Sequence, residues 1–165
     1  HIKSSIIEKL PLNYFYIGPI LKSIPRSRII WVNRNPIDSC FAMWRTLFAE
    51  AYPFSYDFQD LACYFDGYRK LQSHWHRVAG SGILDVNYAE LVSSPSVVGR
   101  RMAEHCGLEW TDKAVDISKV KSASLTASAA QVRERIYTSS DGIWHQYERH
   151  LTSLLSALRH FGLVY

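Results

Sequence analysis

Hydrophobic and polar positions along the chain change period several times, and each change marks an element. Tyr14, Ile17, Leu21 and Ile24 recur at helical spacing and predict a short helix over residues 13–23, despite Gly18 and Pro19, with Pro25 ending it. Residues 28–32 (Arg-Ile-Ile-Trp-Val) form a continuous β-branched and aromatic run, which predicts a strand buried on both faces in a parallel sheet. Asn33, Arg34, Asn35 and Pro36 end that run; Asn35 can cap and Pro36 can take the first position of a helix running to about Glu50.

A loop follows at residues 53–55, with Asp57 or its neighbours able to cap. Leu61, Tyr64, Phe65, Tyr68, Leu71, Trp75 and Val78 then trace one face of a long helix, which Gly80, Ser81 and Gly82 break. Residues 83–88 read as a second strand, and residues 93–96 (Ser-Ser-Pro-Ser) as the cap of a helix that stops at Cys106 and Gly107. Two strands separated by helices make a βαβ pattern. Residues 110–139 are polar and serine-rich with weak periodicity, an ordered loop with room for one short helix at 112–119. Leu151, Leu154, Leu155, Leu158 and Phe161 mark a terminal helix closed by Gly162. Nothing repeats, and no boundary divides the 165 residues, so a single domain is expected.

Composition narrows the function classes. A net charge of +4 and a pI near 9.0 suit an anionic ligand and equally suit mere solubility. No apolar run approaches the roughly 20 residues that cross a bilayer, so no membrane span is expected. The first residues lack the long apolar stretch and cleavage site of a signal peptide and read as a chain entered midway. Cys40, Cys63 and Cys106 are odd in number and far apart, which points away from a disulfide framework or zinc knuckle and toward a reducing, cytoplasmic setting. Cys40 and Cys106 fall at apolar helix positions and are expected to be buried. His74 and His76, two apart on a helix, face different ways and make no metal pair. The aromatic residues recur at helical core spacing, so packing explains them better than base stacking, and no nucleic-acid partner is expected.

In open α/β sheets, ligands bind beyond the carboxyl ends of the strands, where helix N-termini also point N–H groups at anions. Arg34 stands at that spot, and its guanidinium fork could take a phosphate dianion through two parallel charge-assisted bonds. From position alone an ion pair with Asp38, on the first helical turn, is an equal alternative.

Residues 28–40 resemble the sulfotransferase segment in which a buried strand is followed by Arg-x-Pro-x-Asp and which binds the 3′-phosphate of 3′-phosphoadenosine-5′-phosphosulfate (PAPS). Residues 85–92 (Asp-Val-Asn-Tyr-Ala-Glu-Leu-Val) look like the family's strand ending in Tyr-Glu-x-Leu-Val. Residues 126–133 and 136–140, with Trp144 and Tyr147, look like its closing nucleotide loop. The order is most similar to bacterial sulfotransferases fused to tetratricopeptide repeats, distant relatives of the tyrosylprotein enzymes. The fold so implied is α/β, a P-loop-kinase-like parallel sheet flanked by helices and truncated at its N-terminus.

The resemblance also implies roles. Arg34 would hold the 3′-phosphate, Tyr88 would meet the nucleotide near the adenine, and Ser128, Gln131, Arg133 and Tyr137 would close over it, while Trp144 and Tyr147 anchor the loop by packing. Lys9, in Glu-Lys-Leu-Pro at residues 8–11, matches the family's lysine at the transferring sulfuryl group, where an ammonium neutralises charge on the leaving oxygen with no metal. The cofactor implied is PAPS, the product adenosine 3′,5′-bisphosphate (PAP), and the acceptor a hydroxyl or amine on a glycan, peptide or small molecule.

The sequence departs from the family in three ways. Ala42 stands where a serine usually gives the 3′-phosphate a second donor, a loss of about 1.5–3 kcal/mol unless Ser39 or a loop residue substitutes. Arg135 and Ile143 replace a usual proline and a usual basic residue. The glycine-rich loop that cradles the 5′-phosphosulfate is not among these residues, so the chain is expected to be one partial domain, inactive alone, with a sheet edge uncovered. A non-catalytic nucleotide-binding remnant and a basic nucleic-acid-binding module are the rival readings.

Overall fold

The computed structural model describes residues 5–115 and 141–164. Its centre is a pair of parallel strands, β1 (Ile29–Asn33) and β2 (Ile83–Asn87), registered Ile29 to Ile83 through Asn33 to Asn87. The helices, in chain order, are α1 (Ile17–Ser23), α2 (Pro36–Arg45), α3 (Phe58–Ala79), α4 (Tyr88–Ser93), α5 (Pro95–Cys106) and α6 (Thr152–His160). The predicted βαβ unit is therefore present, with α2 and α3 forming its crossover.

Local chemistry sets most of the boundaries. The Asn35 side chain accepts from Ile37 N at 2.9 Å and Pro36 opens α2, while the Asp57 carboxylate accepts from Gln59 N and Asp60 N to start α3. Gly107, at φ +65°, closes α5 in the left-handed conformation that an L side chain disfavours. Gly99 serves a different need: the Trp110 ring lies against it so closely that an added Cβ would come within 2.3 Å of a ring carbon.

Four expectations are corrected. Helix α2 stops at Arg45, well before Glu50, because β-branched Thr46 turns extended and bonds its hydroxyl back to Ala42 O at 2.8 Å. Residues 13–23 are split between a 3-10 turn, Pro11–Tyr16, and α1, which begins one residue before Gly18 and Pro19. Tyr88 opens α4 instead of ending β2, since Asn87 caps Glu90 N. Strand β1 is not buried on both faces: Trp31 is buried, but Val32 is 44% exposed. The described residues contain no third strand.

Two apolar clusters hold these elements. The larger joins α2, α3 and α6 through Phe41, Leu61, Phe65, Leu154 and Leu158. The smaller packs Ile17 of α1 against Trp31 and Ile83 of the sheet, with Tyr68 and Trp75 of α3 alongside. Helix α3 belongs to both, because its 22 residues present Leu61 and Phe65 to one and Trp75 to the other. A 3-10 segment, Ile143–His150, leads into α6, where Trp144 packs on the larger cluster and the Tyr147 ring lies 5.3 Å from that of Phe41. Trp144 thus packs, as expected of it, whereas Tyr147 stays 45% exposed and meets the cluster through its ring contact with Phe41.

Candidate functional site

Strands β1 and β2 end side by side, and the residue that follows each is the one the sequence singled out. Arg34 leaves β1 just before α2; Tyr88 leaves β2 as the first residue of α4. The guanidinium carbon of Arg34 sits over the Tyr88 ring, 5.0 Å from its centroid, a cation–π arrangement. Ser39, on the first turns of α2, joins Arg34 in lining one cavity of about 840 Å³.

Arg34 does not pair with Asp38 in the way position alone allowed. Its Nε donates to Asp141 Oδ1 at 3.2 Å, 107 residues further along the chain. Asp38 is buried and instead accepts the backbone N–H of Gly142 at 2.8 Å. Gly142 has φ +76°, a left-handed turn that glycine makes without strain. The pair of adjacent residues Asp141 and Gly142 is therefore clamped onto α2 and the rim, one by its side chain and one by its backbone.

The N-terminus of α2 offers an anion less than the fold alone suggests. Pro36 has no N–H, that of Ile37 is taken by Asn35 Oδ1, and that of Ser39 by the Asn35 carbonyl.

The remaining lining divides into two walls. One is aromatic, with Tyr14, Tyr52, Phe54, Tyr64 and Tyr68; Phe54 and Tyr64 stack with centroids 3.7 Å apart. The hydroxyls of Tyr14 and Tyr64 bond to each other, and Tyr68 accepts from Trp31 Nε1. Burial, followed by the Tyr64 hydroxyl bond, pushes the Tyr14 phenol well above its ordinary range, and burial raises that of Tyr68. These two phenols therefore stay neutral near pH 7.

The second wall is a polar lattice. Asp85 Oδ1 accepts from Asn33 Nδ2 at 2.6 Å and from Gln72 Nε2 at 3.3 Å, and Asp85 Oδ2 meets His76 Nε2 at 2.6 Å. Gln72 Nε2 also donates to Asn33 Oδ1 at 2.7 Å, and His76 Nδ1 meets the Gln72 carbonyl at 2.8 Å. Both nitrogens of the His76 ring are committed, so this histidine ties α3 to the sheet and does not stand ready as a base. The lattice braces Asn33, the residue immediately before Arg34.

The other expected residues are placed as follows. Lys9 is exposed and outside the lining of the cavity, although Pro11 and Leu12, just after it, line it. Ser128, Gln131, Arg133 and Tyr137 lie outside the described residues. Cys40 is fully buried and burial pushes its thiol up to about 12, whereas Cys63 is exposed and Cys106 half-buried. Among the described residues no group of His, Cys, Asp and Glu could hold a metal, and no helix is long and apolar enough to cross a membrane.

Sequence reasoning missed Asp141, the anchoring role of Asp38 and the lattice of Gln72, His76 and Asp85. Asp85 carried a faint signal, a charged residue within a strand of apolar neighbours. Asp141 carried none, because its partner is remote in the chain.

Fold and rim together define an α/β protein in which a guanidinium and a hydroxyl line one cavity beyond the ends of parallel strands, while Tyr88, whose ring lies under the guanidinium, is not among that cavity's lining. The chain belongs to the sulfotransferase family, whose model matches residues 2–112, about two thirds of its length. A relative described as an uncharacterized protein of Aquifex aeolicus (strain VF5) is 32% identical over 157 residues, 93% of this chain and 21% of that protein. The chain thus spans about a fifth of the length of the relative it matches. No solved structure matches it.

Proposed function

We propose that these 165 residues are one partial sulfotransferase domain, the part that grips the 3′-phosphate and adenine end of PAPS. The complete protein transfers the sulfuryl group to a hydroxyl or amine acceptor. The observation that carries this reading is the meeting of Arg34 and Tyr88 across the ends of two parallel strands, with Ser39 lining the same cavity as Arg34. The donor set fits the ligand: a guanidinium for a dianion, a ring face for the nucleotide, and a helix hydroxyl that could replace the donor lost at Ala42. Ser128, Gln131, Arg133 and Tyr137 complete the nucleotide loop in this reading, and Lys9 is the group that meets the sulfuryl oxygen. When bound, PAPS supplies an activated sulfuryl group whose in-line transfer needs charge neutralisation and positioning more than covalent help.

The cavity beyond Arg34 bears on the acceptor. Its carboxylate, Asp85, is already engaged by three side chains and the phenols of Tyr14 and Tyr68 are held neutral, while Arg34 and Arg69 line it. That balance favours a neutral hydroxyl over an ammonium-bearing acceptor. The odd number and wide spacing of the cysteines in the sequence are the ground for a reducing, cytoplasmic setting in this reading.

Calorimetric titration with PAP and, separately, with a single-stranded oligonucleotide tests the proposal. PAP should bind, and Arg34→Ala should weaken it about ten- to a hundredfold by removing charge-assisted bonds. Oligonucleotide binding that collapses with salt, without PAP binding, would replace the proposal with a nucleic-acid role. A remnant that binds but does not transfer is the second reading, favoured by Ala42. It is recognised if PAP binds and the full-length protein transfers no sulfate.

A further inference from the structure

The Arg34 guanidinium is already in contact with an anion, and that anion belongs to the chain. Asp141 Oδ1 accepts from Arg34 Nε at 3.2 Å. A carboxylate oxygen and a phosphate oxygen ask the same thing of a guanidinium, a charge-assisted N–H donor at that distance. The contact is not a chance brush between two long side chains. Asp141 is short, and the next residue is fixed: the Gly142 N–H bonds Asp38 Oδ1 at 2.8 Å, and Asp38 is buried in the first turn of the helix that Arg34 precedes. Arg34 Nε and Asp38 Oδ1, four residues apart in the chain, thus hold the turn at Asp141 and Gly142 against the rim.

We infer that Asp141 is an internal competitor for the 3′-phosphate: its carboxylate occupies part of the anion seat on Arg34, and a phosphate dianion binds there by displacing it. The inference rests on the donor-site reading of Arg34 given above. Three observations make the exchange feasible. The pair is partly exposed, at 24% for Arg34 and 33% for Asp141, where water and salt weaken ion pairs. A dianion carries more charge than the carboxylate and can engage a second donor such as Ser39, which lines the same cavity. The anchor at Gly142 runs from its backbone N–H to the Asp38 carboxylate and does not involve the Asp141 side chain, so release requires only rotation of that side chain and leaves the turn in place. Electrostatics fixes the sign, since a negative charge this close to Arg34 opposes a second negative ligand.

The test compares the wild type, Asp141→Asn and the double variant Arg34→Ala/Asp141→Asn, each checked for an unchanged melting temperature. PAP and inorganic phosphate are titrated separately by calorimetry, and the Arg34 Nε–H resonance is followed by NMR. Asp141→Asn should tighten both ligands about three- to tenfold, the double variant should lose that gain, and the Arg34 resonance should move on adding phosphate. Equal affinities in the wild type and Asp141→Asn overturn the competition while leaving the donor site intact. Weaker binding in Asp141→Asn also overturns it, since Asp141 would then orient Arg34 for the ligand. If phosphate gains in Asp141→Asn but PAP binds no better than phosphate, the nucleotide reading fails and the competitor role stands. If neither ligand binds either protein, both are wrong.

Discussion

The apolar cluster between α2, α3 and α6 and the polar rim at the ends of β1 and β2 hold the same molecule by opposite means. In the first, Leu61, Leu154 and Leu158 are fully buried and their contribution comes from area removed from water and close packing. In the second, Asn33, Gln72, His76 and Asp85 are joined by directed bonds at partial exposure, and Arg34 is shared between Tyr88 and Asp141. Bonds of that kind add little net stability, because water offers the same groups nearly equivalent partners. They determine instead where a charged side chain stands. Stability and site geometry are therefore largely separable here, with α3 as the element common to both.

That separation can be attacked from either side. Leu158→Ala should cost about 2–5 kcal/mol in chemical denaturation, through lost transfer energy and a cavity that its packed neighbours close only in part. PAP affinity of the folded fraction should hardly change. Asp38→Ala falls between the regions, since it removes a buried carboxylate and leaves the Gly142 N–H without its partner. It should cost about 1.5–3 kcal/mol and release the Asp141 turn from α2, seen as faster hydrogen exchange at Gly142. Asp85→Asn should have the smallest effect on stability, below about 1 kcal/mol, because the residue is half exposed and an amide retains one acceptor. If the lattice braces Arg34, the same change should still weaken PAP severalfold. A larger loss of stability than binding would merge the two regions into one.

Legibility followed the range of the interactions. The strand at residues 28–32, the caps at Asn35 and Asp57, the long helix α3 and the glycine at Gly107 were readable because each depends on residues within a turn or two. Arg34 was readable as a candidate because a strand-to-helix junction is itself a local pattern. The end of α2 was misread: apolar spacing continued beyond Arg45, but the Thr46 hydroxyl found a partner in the Ala42 carbonyl and the backbone left the helix. Tyr88 was assigned to the wrong element because a one-residue shift decides between a strand end and a helix start, and the Asn87 cap made the choice.

What the sequence determined by itself was the alternation of elements and the chemical type of the residues at the rim, since hydrophobic period, capping side chains and motif order are all written in neighbouring positions. The partner of Arg34, the burial of Asp38 and the lattice around Asp85 were decided only by the tertiary structure. Each joins groups that are distant in the chain, and no local rule says which of many carboxylates the packed core will bring to a given guanidinium.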